Sequence, residues 1–373
     1  MILRTTPFHE RAVDANRRNL WGARGGFTLA EDYGDAEGEA LAARAGAGVA
    51  DISWRSRLLL EGARAGEFVS RLLTRDAALL LPGESVETAW LNDEGALRGT
   101  GIVARLTTYS YLIVSALTDR EWIARAGRLF DVSCNDLSPV QCGLALIGPC
   151  AADVLHAAGI DAPLARHAIA PRRWQDCNLL LSRFWHGFEI WCARSDALAL
   201  WDALMRGGAD FAIAPVGLAA MDVLDLEAGM PMPGRDFVPA RDAKAPEPLP
   251  RTLGLEFLID EQHLAFNGFS AIGRASERRR VLMGIEIESP WPAPHTPVET
   301  GGRVIGRTLH SLYSPALRRA IALALIEEAE ALPARSVSLT LPPASGRPAL
   351  ARAGATLVRL PFLSVAAPIR AEA

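Results

Sequence analysis

Three carboxylates, Asp222, Asp225 and Glu227, crowd one short predicted helix in the stretch PVGLAAMDVLDLEAGMPMPGRDF at 215–237. Leu218, Met221, Leu224 and Ala228 fall at helical spacing and predict a buried stripe beneath them. Gly229 is placed to end that helix, and Pro231 and Pro233 forbid its continuation. On these residues alone the segment reads as a core helix with a solvated acidic edge. A fourth carboxylate, Glu189, stands in the predicted strand HGFEIW. A carboxylate can accept two parallel hydrogen bonds from a paired donor edge. Period-two alternation sets Glu189 on the opposite face from Phe188 and Ile190, so its position alone reads as an exposed strand glutamate. Arg55, after AGVADISW, and Arg98 could hold an anionic group. Solvated arginines are nonetheless the common outcome where nearly all positive charge is arginine. Ser53 has no paired base and is no triad nucleophile.

Other chemistries are disfavoured by what the chain lacks. Lys244 is its only lysine and lies in the run AKAPEPLP, a poor setting for a Schiff base. No Gly-Lys-Ser/Thr stands where a P-loop needs it. The five cysteines, Cys134, Cys142, Cys150, Cys177 and Cys192, form no CxxC pair. Buried thiols in a reducing compartment are the expectation. The seven histidines are scattered without metal-ligand spacing, so no metal is expected. A net charge of -4 gives no support for a nucleic-acid partner. No long apolar run suggests a membrane span, and the opening MILRTTPFHER lacks a signal-peptide core, so the cytoplasm is the expected compartment.

A chain of 373 residues, half of them hydrophobic, implies two or three domains. Strands are predicted at 57–60, 86–91, 101–106, 111–115, 144–147, 179–181, 188–192, 303–308 and 336–341. The segment Asn92-Asp93-Glu94-Gly95 reads as a hairpin turn. Helices are predicted at 65–73, 119–130, 149–158, 196–206 and 315–330, with Trp122, Ile123, Ala126 and Leu129 on one face of the second. Strand neighbours mixed with helices, without strict βαβ alternation, argue an α+β fold. Pro239–Pro250 reads as an extended connection.

The order of pieces in the 215–237 block resembles the "GLGARDxLRLEAG…G.D" block of the glycine-cleavage T-protein family, the folate-dependent aminomethyl- and methyltransferases. Further blocks follow in order. AGVADIS resembles "AGVFDVS", LLTRDAALLLPGE resembles "LTNDVxxLxPG", and HGFEI resembles the end of "TGYTGExGYEI". HTP at 295–297 resembles part of "RAHSPI", and GGRVIGRTLHSLYSPALRRAIALA resembles "xGxxIGxVTSGxxSPxLKxxIALG". The resemblance implies three lobes around a central folate cavity, with a C-terminal β-barrel-like domain. It implies a folate-binding α+β region over 1–276 and a β-rich domain over 277–373.

The resemblance assigns Glu189 to the pterin ring and tetrahydrofolate as the cofactor. By the same analogy Ser53, Met221 and His295 line the cofactor site. Trp185, beside a shortened loop, is expected in the cavity, where an aromatic face suits sulfonium, ammonium or apolar methyl donors. The chain also departs from the pattern. Gly99 and Thr100 replace two consecutive aspartates, the first of which is the family's acid/base candidate. Thr100 could donate a hydrogen bond at the reacting centre but has no useful pKa. Met221 and Asp225 replace the two arginines of the helix block, and Ala293 replaces another. The expectation is a tetrahydrofolate-dependent one-carbon transferase, with a small-molecule methyl donor of the sulfonium, ether, amine or halomethane class, distinct from glycine cleavage. Alternatives are a non-catalytic folate-binding relative, an aminomethyltransferase with an altered acid/base, or a subunit of a flavin-dependent methylamine oxidase. Oligomeric state is left open.

Overall fold

Antiparallel strand pairing organises most of the computed structural model, which describes residues 3–162, 165–184, 187–242, 249–272, 280–289, 293–341 and 351–363. Trp185, with His186, and Lys244 lie outside the described residues, as does the middle of Pro239–Pro250. The fold is α+β, as expected. The chain divides into two compact units, one comprising Met1–Ala89, Gly99–Met221 and Val365–Ala373, the other Trp90–Arg98 and Asp222–Ser364.

The first unit contains a six-stranded sheet in the order Ile169–Trp174, Cys177–Phe184, Gly187–Ala193, Gln141–Ile147, Ala47–Asp51, Ile213–Pro215. Its three central strands, Gly187–Ala193, Gln141–Ile147 and Ala47–Asp51, are mostly buried runs; in the first, every residue from Phe188 to Cys192 is buried. One face carries Leu144, Leu146, Leu181 and Ile190 into a core closed by Val154 and Leu155 of the helix Ala151–Ala157 and by Leu200, Trp201 and Leu204 of the helix Ala197–Gly207. A five-stranded sheet runs in the order Ser85–Leu91, Leu97–Thr107, Ser110–Ser115, Ser56–Glu61, Ser133–Asp136. The helix expected at 119–130 is Arg120–Gly127 followed by a 3-10 turn, and Leu129, placed on its buried face by periodicity, is 78% exposed. The change of pitch rotates that residue out of the stripe.

The face opposite this core is shaped by one glycine. Gly143 lies across from Trp191 in the antiparallel register, and a Cβ on Gly143 would stand 2.1 Å from an indole carbon of Trp191. The indole lies over the bare backbone because nothing projects there. Trp191 is 1% exposed and has little room to retreat. Gly143→Ala should therefore destabilise the protein by about 1–3 kcal/mol through overpacking. Urea unfolding of the variant checks this, and an unchanged midpoint would refute it.

The second unit contains a closed barrel of six strands in the order Arg280–Ile287, Arg319–Glu327, Arg303–Ser314, Pro297–Thr300, Ser336–Leu341, Ala351–Val358. The barrel expected at the C-terminus is thus present. One of its strands was expected as a helix. Arg319–Glu327 falls within the segment 315–330, whose Ala, Leu, Arg and Glu are strong helix formers. Tertiary pairing overrides that propensity, with Arg280–Ile287 on one side and Arg303–Ser314 on the other. Ala320, Ala322, Ala324 and Ile326 join the barrel core, while Ile321 and Leu323 join a second cluster with Leu226. A strand buried on both faces reads as a continuous apolar run, without period-two alternation to betray it.

Candidate functional site

Glu189 sits in the middle of the strand Gly187–Ala193, opposite Ser182 on one neighbouring strand and Ala145 on the other. It is 5% exposed rather than the solvated strand glutamate that its position suggests. Its Oε1 accepts from Nη1 of Arg55. Its Oε2 is buried with no hydrogen-bond partner among the described residues. Burial pushes this carboxyl above the ordinary glutamate range, while the guanidiniums of Arg55 and Arg57 and the indole of Trp191 pull the other way.

The two arginines are held very differently. Arg57 is fully buried in the strand Ser56–Glu61, with its guanidinium 4.3 Å from the Trp191 ring centroid. It donates to the carbonyls of Arg55 at 2.9 Å and Gln141 at 2.9 Å. Desolvation lowers its pKa to about 10, so it stays a cation at neutral pH. Arg55 lies in the turn between strands and is the more exposed partner of its ion pair with Glu189. The ring of Trp54 lies 5.7 Å from the Arg55 guanidinium and 5.4 Å from that of Arg24. Of the two arginines read as candidate anion holders, Arg55 is therefore committed to a carboxylate of the chain itself, while Arg98 lies half-buried on the strand Leu97–Thr107 of the five-stranded sheet. Arg57 was not singled out from sequence; a lone arginine inside the strand SRLLLE was the available signal.

Ser53 supports this turn. It is 2% exposed, its backbone N–H donates to Asp51 at 2.9 Å, and its hydroxyl oxygen accepts from the N–H of Gly143 at 3.2 Å. Asp51 also accepts from the hydroxyl of Thr6. Burial raises the Asp51 carboxyl, against the pull of Ser53, Thr6 and Arg57. Ser53, in the turn after the strand Ala47–Asp51, is thus tied through Gly143 to the sheet that carries Glu189.

The remaining candidates lie elsewhere. Thr100 is half-buried on the strand Leu97–Thr107, in the five-stranded sheet. Met221 is half-buried on the helix Leu218–Glu227. The stripe predicted beneath that helix is shifted, since Leu218, Ala220, Val223 and Leu226 are its buried apolar residues. Met221, Leu224 and Ala228 are only half-buried. His295, in the barrel unit, is exposed with a left-handed φ of 53°. Thr308 secures its turn, accepting from the N–H of Thr296 at 2.7 Å and donating to the carbonyl of Ala293 at 2.6 Å.

The acidic edge is also not what the sequence suggests. Glu227 is fully buried and accepts from the hydroxyl of Ser314. Asp222 lies 2.7 Å and Asp225 3.9 Å from the guanidinium of Arg235, which also donates to Asp236 at 2.9 Å. Burial would lower the pKa of Arg235, but Asp236, then Asp225 and Asp222, hold it above its ordinary value. Arg235 thus supplies a cation beside this helix. His310 is held below the usual histidine range by burial and then by Arg235, and its Nε2 is buried with no partner among the described residues.

Residues 9–260 match the GCVT N-terminal domain, and residues 280–363 match the glycine cleavage T-protein C-terminal barrel domain. An aminomethyltransferase of Bacillus pumilus is 30% identical over 354 residues, covering 89% of this chain and 92% of that protein. An aminomethyltransferase of Frankia alni is 30% identical over 348 residues, covering 87% and 90%. The crystal structure of glycine cleavage system aminomethyltransferase T from Bartonella henselae matches with a TM-score of 0.85 at 26% identity, covering 97% of this chain and 98% of that one. With both domains matched in order and the fold shared along nearly its whole length, the chain belongs to the glycine cleavage T-protein family.

Proposed function

We propose that this family member is a tetrahydrofolate-dependent transferase that moves a one-carbon unit from a small methyl donor to folate N5, rather than the aminomethyl-transferring component of glycine cleavage. The observation that carries the folate half is the Glu189 carboxylate, buried, with one oxygen on Arg55 and the other without a donor. Leaving such an acceptor unpaired costs about 1–3 kcal/mol, which a ligand offering N–H groups would recover. The donor edge of an aminopyrimidinone has the matching chemistry. When bound, tetrahydrofolate supplies N5 as the nucleophile.

The chain's own residues then bind and orient. Glu189 accepts from the pterin, Arg57 and Trp191 brace it, and Ser53 fixes the turn that carries Arg55. Met221 and His295 are the further cofactor contacts we propose. On the donor side, Gly99 and Thr100 supply no carboxylate where the family resemblance sets an acid. Expelling ammonia from an aminomethyl group needs a proton source. Attack on an activated methyl with a good leaving group needs positioning and desolvation more than an acid. Thr100 as a hydrogen-bond donor and Trp185 as an aromatic wall would serve that reaction. We retain the division into a folate-binding region over 1–276 and a C-terminal domain over 277–373.

A second reading, an aminomethyltransferase with an altered acid/base, has the names of the 30%-identical relatives in its favour. Incubation with tetrahydrofolate and each of the sulfonium, ether, amine and halomethane donors separates the two, following 5-methyl- and 5,10-methylene-tetrahydrofolate. A glycine-cleavage assay runs in parallel. The expected outcome is product from one donor class and none from the aminomethyl donor. Turnover of the aminomethyl donor alone would favour the second reading. Folate binding without turnover of any donor would favour a non-catalytic binding protein.

A further inference from the structure

Two features of the Glu189 site stand apart from the pterin contact itself. The carboxylate is only half satisfied, and the group that satisfies it is the less constrained of two neighbouring arginines. Arg57 is pinned by carbonyls and by the Trp191 ring. Arg55 has a side chain 21% exposed, against 7% for Glu189, and reaches in from the turn with Trp54 as its aromatic support. A residue that merely neutralised the site would engage both oxygens, as an arginine fork readily does. Here the fork meets Oε1 through Nη1 and leaves Oε2 open.

We propose that Arg55 is the positioning residue of the folate site, fixing Glu189 through Oε1 and reserving Oε2 for an N–H of the aminopyrimidinone. The inference rests on the folate reading above. Its physical basis is the burial of the carboxylate. A carboxylate removed from water tends to take up a proton, and a protonated Glu189 would present an O–H where the ligand needs an acceptor. Among the described residues, the charged groups facing Glu189 are Arg55 from the turn and Arg57 from the neighbouring sheet. Ser182 and Ala145, its cross-strand partners, carry no charge. Asp51 acts on Arg57 as a further counter-charge. Arg55 is therefore the member of this set that can be removed without disturbing the buried guanidinium of Arg57.

The test uses the full chain as wild type, Arg55→Gln, Arg55→Lys and Glu189→Gln. With 13C-carboxyl-labelled glutamate, the Glu189 resonance is the one absent from Glu189→Gln. In Arg55→Gln its titration midpoint should move up by about 1–3 pH units, the usual effect of losing an adjacent opposite charge, and Arg55→Lys should restore most of the shift. Calorimetry with tetrahydrofolate between about pH 5 and 8, where proteins tend to be most stable, should give an affinity in Arg55→Gln that is roughly 10-fold or more below wild type at the acid end and recovers as pH rises. An unmoved Glu189 midpoint overturns the proposal. So does tighter folate binding by Arg55→Gln, which would make Arg55 a competitor of the ligand. An unchanged pH profile in a variant that binds folate also overturns it, while leaving the folate reading standing. No folate binding by wild type overturns that reading and the ligand named here, and the midpoint shift still reports separately on the hold of Arg55 on Glu189.

Discussion

Glu189→Ala should weaken tetrahydrofolate binding by about 1.5–3 kcal/mol, roughly 10- to 100-fold, because the hydrogen bond that Oε2 accepts as a charged acceptor is worth that much. Isothermal calorimetry on wild type and variant measures it, and equal affinities would remove Glu189 from the site. A glutamine at the same position separates binding from folding. The folded carboxyl lies above its ordinary value of 4.5, chiefly through burial. Between the unfolded and folded values the native state therefore binds more protons than the unfolded chain. Wild-type stability should consequently fall, relative to Glu189→Gln, as pH rises from 4.5 through the folded value. The glutamine variant should thus be as stable as wild type or more so at neutral pH, yet bind folate poorly. A glutamate kept only to hold the sheet together would give the reverse, with lost stability and untouched affinity. Thermal unfolding across pH, beside the calorimetry, distinguishes the two.

What could be read in advance followed from how each residue's role is encoded. Strands such as Ser110–Ser115, bounded by polar turns, announce themselves by composition. The hairpin at Asn92–Gly95 is written in its own residues, with Gly95 at a φ of 79° and the Asn92 side chain accepting from Ala96 at 2.8 Å. Barrel pairing is not local. Ala320, Ala322 and Ala324 have the highest helix propensity of any residue, and only partner strands distant in sequence make them a strand. The site shows the same division. Glu189 was legible through its resemblance to a family block, but its burial depends on Ser182, Ala145 and Trp191 closing around it. The acidic edge misled for a related reason. Charge on a helix face reads as solvated until the counter-charge is located, and Arg235 lies beyond the turn that ends the helix.

That counter-charge carries the second large expectation, a loss of about 3–5 kcal/mol of stability in Arg235→Met, the usual cost of stranding a buried ion's partner. Asp236 has a side chain with no solvent exposure, and Asp222 has one only 18% exposed. Asp236 would keep the N–H of Met232, at 2.6 Å, as a donor but would lose its counter-ion. Methionine roughly preserves the volume, so the loss would report charge rather than a cavity. Denaturant unfolding of the full chain measures it, and a loss below about 1 kcal/mol, the level of an exposed pair, would show the cluster to be effectively solvated. Asp222→Asn offers an internal comparison, because it removes one of three acids and leaves Arg235 paired with Asp236. It should cost clearly less than Arg235→Met. The inequality follows from geometry, since one guanidinium serves three carboxylates and each carboxylate is only one of its partners. If the two variants were equally destabilised, the Asp222 contact would be the whole of the interaction, and Asp225 and Asp236 would draw nothing from Arg235.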